Sequence, residues 1–151
     1  LIHPPRDQPF AQLDNADAAW PRADGRDTRA EGLKFRGYFL LPENRRPIFG
    51  YRIGDDLRVA DYAEPAAGAL PSITRRLRIR GNGEVWYLAA AGESITEENG
   101  GYNIGGSMLR VSFPELKAKP LIRESGGRKE LLIKLNVEGQ ATLRQRYEWN
   151  L

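Results

Sequence analysis

Four arginines fall within eight positions in ITRRLRIR, residues 73–80. Guanidinium groups are planar, permanently charged and matched in shape to carboxylate and phosphate oxygens. Arg76, Arg78 and Arg80 alternate with Leu77 and Ile79, so on a strand they share one face at a spacing of about 7 Å. Such a row repels itself unless neighbouring strands supply carboxylates. The alternation therefore predicts a solvated face paired with acidic residues, with an anionic ligand as the functional alternative. Nucleic acid is disfavoured, because no aromatic residue interleaves with the arginines to stack on bases. Arg75 falls on the apolar side with Ile73, Leu77 and Ile79; if buried, it requires a carboxylate partner.

The other residue types capable of chemistry are sparse. NGGYNIGG (99–106) is glycine-rich but lacks both the GK[ST] ending of a phosphate loop and the GxGxxG spacing, so it predicts tight turns between strands. Glu97 and Glu98 are adjacent and would point to opposite faces of a strand, which is unsuited to a facing acid–base pair. Asp24, Asp27 and Glu31 do not follow a calcium-loop register. His3 is the single histidine and lies in a proline-rich lead-in, so neither a Ser-His-Asp relay nor a multi-histidine metal site is indicated. Pairing His3 with Met108 as haem ligands fails for the same reason. No cofactor and no metal are implied. Trp86 and Tyr87 are neighbours on opposite faces. One is expected in the core, and the other, if exposed, would offer a ring for stacking on a sugar.

The bulk composition suits a single folded unit. The chain has 151 residues, 40% hydrophobic and 28% charged, with a net charge of +3. That charge is mild for a dedicated nucleic-acid binder, and no apolar run is long enough for a membrane-spanning helix. Eighteen of the 23 cations are arginine. Cysteine is absent, which excludes disulfides, thiolate metal sites and thiol nucleophiles within the chain.

These residues must be positioned by strands. Residues 1–32 carry Pro4, Pro5, Pro9 and Pro21 and show no sustained period. They predict an extended arm with at most a short helical turn over 10–19, pinned to the body by Phe10, Leu13 and Trp20. From Leu33 onward the hydrophobic period is two. Phe49, Tyr51 and Ile53 alternate with Gly50 and Arg52, and Leu57, Val59 and Asp61 alternate with Arg58, Ala60 and Tyr62. Leu131, Ile133, Leu135 and Val137 share a face, as do Leu143, Tyr147 and Trp149. Asn82-Gly83 and Glu138-Gly139 predict hairpin turns. The expectation is an all-β fold, an antiparallel β-sandwich of about ten short strands over residues 33–151, preceded by the arm over 1–32.

Trp20-Pro21, FRGYFL (35–40), RPIFGYRIG (46–54) and VADY (59–62) together resemble a segment of large secreted proteins of planctomycete-type bacteria. Those proteins join a sorbosone-dehydrogenase-like propeller to c-type cytochrome modules. The similarity spans roughly residues 20–65 and consists of packing residues, and the family's CxxCH haem motif has no counterpart in this chain. The resemblance implies an extracytoplasmic, β-rich accessory domain beside the redox and propeller parts.

The opening LIHPPRDQPF has neither an initiator methionine nor a signal-peptide pattern, and the chain is expected to be part of a longer polypeptide. The functional expectation is a non-catalytic accessory or ligand-binding module of a larger exported bacterial protein, periplasmic or secreted. Its partners would be the other domains of the parent and a polysaccharide, with Arg76, Arg78, Arg80, Trp86 and Tyr87 as candidate ligand-binding residues. The alternatives are a glycan hydrolase acting through carboxylates and an anion-binding module using the arginine strand.

Overall fold

The computed structural model describes residues 9–21, 33–40, 47–64, 72–105 and 108–149. These form β1 (Phe10–Ala11), β2 (Leu33–Leu40), β3 (Pro47–Ile53), β4 (Leu57–Glu64), β5 (Ser72–Gly92), β6 (Ile95–Glu98), β7 (Gly101–Ile104), β8 (Leu109–Ser112), β9 (Leu121–Ser125) and β10 (Arg128–Trp149). Among the described residues there is no helix. All the pairings are antiparallel and belong to one sheet, ordered β2-β3-β4-β5-β10-β8-β7-β6, with β1 added to β5 and β9 added to β10. The all-β, antiparallel character expected from the period of two is what the chain adopts.

Two expected hairpins are absent. Asn82-Gly83 and Glu138-Gly139 do not reverse the chain; each lies inside one long strand, β5 of 21 residues and β10 of 22. The strands pair with each other along almost their whole length, and the two glycine-bearing stretches meet there, Glu138 opposite Asn82 and Gly139 opposite Gly81. Gly81, Gly83 and Gly139 have φ of +125°, +144° and +81°, values open to glycine and costly for other residues. These angles depart from regular extended backbone at the same level of both strands, while their pairing continues in register. The Gly139 N–H donates to Asn82 Oδ1 at 3.1 Å, which ties the two glycine-bearing stretches together. A Cβ at Gly81 would stand 2.0 Å from the carbonyl oxygen of Asp56, so the turn before β4 seats directly on this stretch. The hairpin signal was real local chemistry, but long-range pairing with β10 decided its use.

Both halves of β5 and β10 contribute to one core. The main cluster takes Leu77 and Ile79 from before Gly81 in β5 and Val85, Tyr87 and Ala89 from after it, with Leu131, Ile133, Val137 and Leu143 from β10. Tyr102, Ile104 and Val111 close it from β7 and β8.

A second cluster on the opposite face joins Ala11 and Trp20 to Trp86, Leu88 and Leu132. The described part of the lead-in is thus laid against the body. Over 10–19 it forms the short strand β1, with Phe10 opposite Tyr87 and Ala11 opposite Trp86, followed by a turn rather than a helix. Phe10 and Trp20 are buried, as their apolar bulk predicted. Arg123 clamps this segment by donating from Nη1 to the carbonyl oxygens of Ala16 and Ala18 at 2.8 and 2.6 Å. Its Nε bonds Glu130, which also receives Arg128.

Candidate functional site

β5 presents Arg76, Arg78 and Arg80 on its outer face while Leu77 and Ile79 are buried, as alternation requires. The expected carboxylate partners are present for only one of the three. Arg76 lies 3.5 Å from Glu64. Among the described residues, Arg78 and Arg80 make no ion pair, and neither does Arg58. What stands opposite Arg80 is Arg58; opposite Arg58 is Arg52, and opposite Arg52 is Lys34. Four basic residues thus occupy one row across β2, β3, β4 and β5, at a strand spacing of about 4.8 Å. Directly opposed like charges destabilise a sheet. Among the described arginines of this row, Arg52 is partly relieved by Asp55 at 3.4 Å, which is itself fully solvated, and such exposed pairs contribute little.

The neighbouring rows sharpen this arrangement. One holds Gly37, Gly50, Ala60 and Arg78 in register. The next holds Tyr62, Arg76 and Arg144, with the Arg76 guanidinium 5.8 Å from the centre of the Tyr62 ring. The Nε atoms of Arg76, Arg78, Arg144 and Arg146 are shielded from solvent without a hydrogen-bond acceptor among the described residues. Arg144 and Arg146 lie 3.7 and 3.4 Å from Glu64 and Glu148. Among the described residues, the outer face of this half of the sheet is therefore cationic beyond what its carboxylates offset. Arg52 and Arg58 were missed as site residues, although the sequence held the signal. A hairpin closed at Gly54-Asp55-Asp56 sets Ile53 against Leu57 and hence Arg52 against Arg58.

Trp86 and Tyr87 correct the sugar-stacking expectation. They point to opposite faces, as their adjacency required, but both faces are covered there. Tyr87 is fully buried in the main core against Phe10, with ring centres 5.2 Å apart. Trp86 is buried beneath the lead-in segment, with the Lys134 ammonium 5.7 Å from its ring centre. Neither ring is presented to a ligand.

Arg75 satisfies the condition set for it. Its Nε and Nη2 donate to the two carboxylate oxygens of Asp61 at 2.9 and 2.5 Å, a two-pronged pairing of the strong kind. Its Nη1 donates to the Tyr87 hydroxyl at 3.2 Å. That hydroxyl donates to Gln145 Oε1, and Gln145 Nε2 donates to the Ala89 carbonyl at 2.8 Å. The chain of bonds links β4, both halves of β5, and β10. Burial disfavours a charged guanidinium, yet the Tyr87 hydroxyl and the Asp61 carboxylate outweigh it and hold Arg75 above its ordinary range. Burial pushes the Tyr87 hydroxyl well above the usual phenol value, and Tyr51 is raised by burial and by the Asp61 charge. At neutral pH Arg75 is therefore charged and the Tyr87 hydroxyl keeps its proton. The network braces β4 and β10 against both halves of β5.

The remaining candidates bring no reactive set together. Asp61 and Glu130, the buried carboxylates, are each held by arginine. Glu98 accepts from Asn103 at 2.7 Å in the β6–β7 hairpin, whose Asn99-Gly100 turn confirms the reading of that glycine-rich stretch. His3, Asp24, Asp27 and Glu31 lie outside the described residues. Among those described, no group of three or more potential ligands is placed to hold a metal ion, and no helix is long and apolar enough to cross a membrane. No protein-family model and no curated protein matches the chain.

Proposed function

We propose that the chain is a non-catalytic ligand-binding module and that its outer arginine face holds an extended anionic ligand. The observation that carries this reading is the row of Lys34, Arg52, Arg58 and Arg80 in direct register. A ligand carrying several negative charges would neutralise repulsion that the carboxylates among the described residues leave uncompensated. The buried carboxylates are already committed to guanidinium partners, so the arrangement favours binding over glycan hydrolysis. The single core shared by both halves of β5 and β10 supports a sandwich-like description of the fold. The resemblance to accessory segments of exported planctomycete-type proteins adds a setting to this reading: an extracytoplasmic domain working beside sister domains of a longer polypeptide.

The test is binding of the full chain to a sulfated or uronate polymer, compared with a variant carrying Arg58→Gln, Arg78→Gln and Arg80→Gln. Loss of at least tenfold in affinity, with unchanged thermal melting, supports the reading. Equal affinity of the two proteins contradicts it.

A further inference from the structure

We infer that the ligand of the arginine face is an acidic polysaccharide whose chain runs across the strands, a deepening that rests on the proposed anion-binding role. Gly50 and Ala60 stand opposite each other on β3 and β4, with Gly37 beyond Gly50 and Arg78 beyond Ala60. Outer-face neighbours along a strand lie about 7 Å apart. The smallest side chains of the face therefore form a trough perpendicular to the strands. Arg52, Arg58 and Arg80 flank one side; the buried Ile48 on β3, with Tyr62 and Arg76, flanks the other. Arg78 closes the end of the floor, its shielded Nε lacking an acceptor among the described residues.

Each element of this trough fits one feature of a uronate chain. A linked uronic acid carries one carboxylate per sugar, and the guanidinium fork binds a carboxylate through two parallel N–H donors. The floor, with almost no side chain, admits a ribbon-like chain close to the backbone. The Tyr62 ring, already paired with the Arg76 guanidinium at 5.8 Å, places an apolar surface and a cation side by side. That is what the C–H face and the carboxylate of one sugar present. A single-stranded nucleic acid would need a series of rings for successive bases, and among the described side chains this trough offers one.

The experiment is calorimetric titration of the full chain with polygalacturonate, inorganic polyphosphate and a single-stranded oligothymidylate. The Tyr62→Ala and Ala60→Leu variants are included, each checked for an unchanged melting temperature. Polygalacturonate should bind most tightly. Tyr62→Ala should weaken it at least tenfold while leaving polyphosphate within twofold, and Tyr62→Phe should restore it. Ala60→Leu, which fills the floor and keeps every charge, should also weaken the glycan at least tenfold. Tighter binding of the oligonucleotide, or glycan affinity indifferent to Tyr62 and Ala60, overturns the glycan assignment and leaves the anion-binding role standing. Failure of all three polymers to bind overturns both.

Discussion

At the scale of single residues, Asp61 and Arg75 show how a polar pair is kept inside a β protein. Both carboxylate oxygens and three guanidinium nitrogens are occupied, so the pair survives burial only while intact. Replacing Asp61 by alanine strands the guanidinium and should lower unfolding free energy by about 3 kcal/mol in chemical denaturation. The double change Asp61→Leu with Arg75→Met should recover most of that loss. A single variant as stable as the parent would show that the pair bears no weight. Tyr87 provides a pH test. Its folded value lies above the value of about 10 for an unfolded tyrosine, so its contribution is complete below pH about 10. That contribution diminishes as pH rises further, because the unfolded chain can then release a proton that the folded chain retains. Ultraviolet titration should show some of the six tyrosines ionising only with alkaline unfolding. Six ordinary midpoints in the native protein would contradict the burial of Tyr87. The need of Arg75 for a carboxylate was legible from its place in ITRRLRIR, but the identity of Asp61 was not. That required knowing that β4 pairs with β5 and brings Asp61 opposite Leu77, one position away on the same face.

At the scale of elements, the close seating of β5 against the turn before β4 depends on Gly81. A side chain there meets both an unfavourable φ and the Asp56 carbonyl, so Gly81→Ala should destabilise by more than about 2 kcal/mol. Gly100, at φ +76° with open space around it, should cost only about 1 kcal/mol on the same substitution. Thermal melting of the two variants side by side checks the difference. Equal effects would place the strain elsewhere. The strand faces were legible along the paired middle of the strands, where Leu57, Val59, Leu77, Ile79 and Leu143 are buried as read; Ile73 and Phe49, read on the same apolar faces, are exposed instead because the core does not reach these strand ends. The continuity of β5 and β10 was not. Asn82-Gly83 is as good a local signal for a tight turn as for a glycine-bearing stretch within a strand, and nothing nearby in sequence reveals that Gly139 lies across from Gly81. Likewise Trp86 was legible as half of an alternating pair. Its cover came from Trp20 and Ala11, more than sixty positions earlier.

At the scale of the whole molecule, charge is distributed unevenly over the sheet. The face of β5 opposite the main core carries both features: toward Arg76–Arg80 it collects basic residues in register with β4 and β3, whereas toward Trp86 it is closed by the lead-in segment and its Arg123 clamp. The sequence showed an arginine-rich strand and a modest net charge. It could not show that neighbouring strands add Arg52 and Arg58 to the row instead of carboxylates, because which strands pair is set by the fold. Binding driven by this face should weaken steadily as salt rises, since each neutralised contact is screened or exchanged for counterions. The most direct test of the account is to titrate an isotopically labelled chain with oligogalacturonate and follow backbone amide resonances. The account predicts that the largest shifts fall on residues 50–52, 58–62 and 76–80. Shifts concentrated around Trp86, or on β6 to β9, would contradict it.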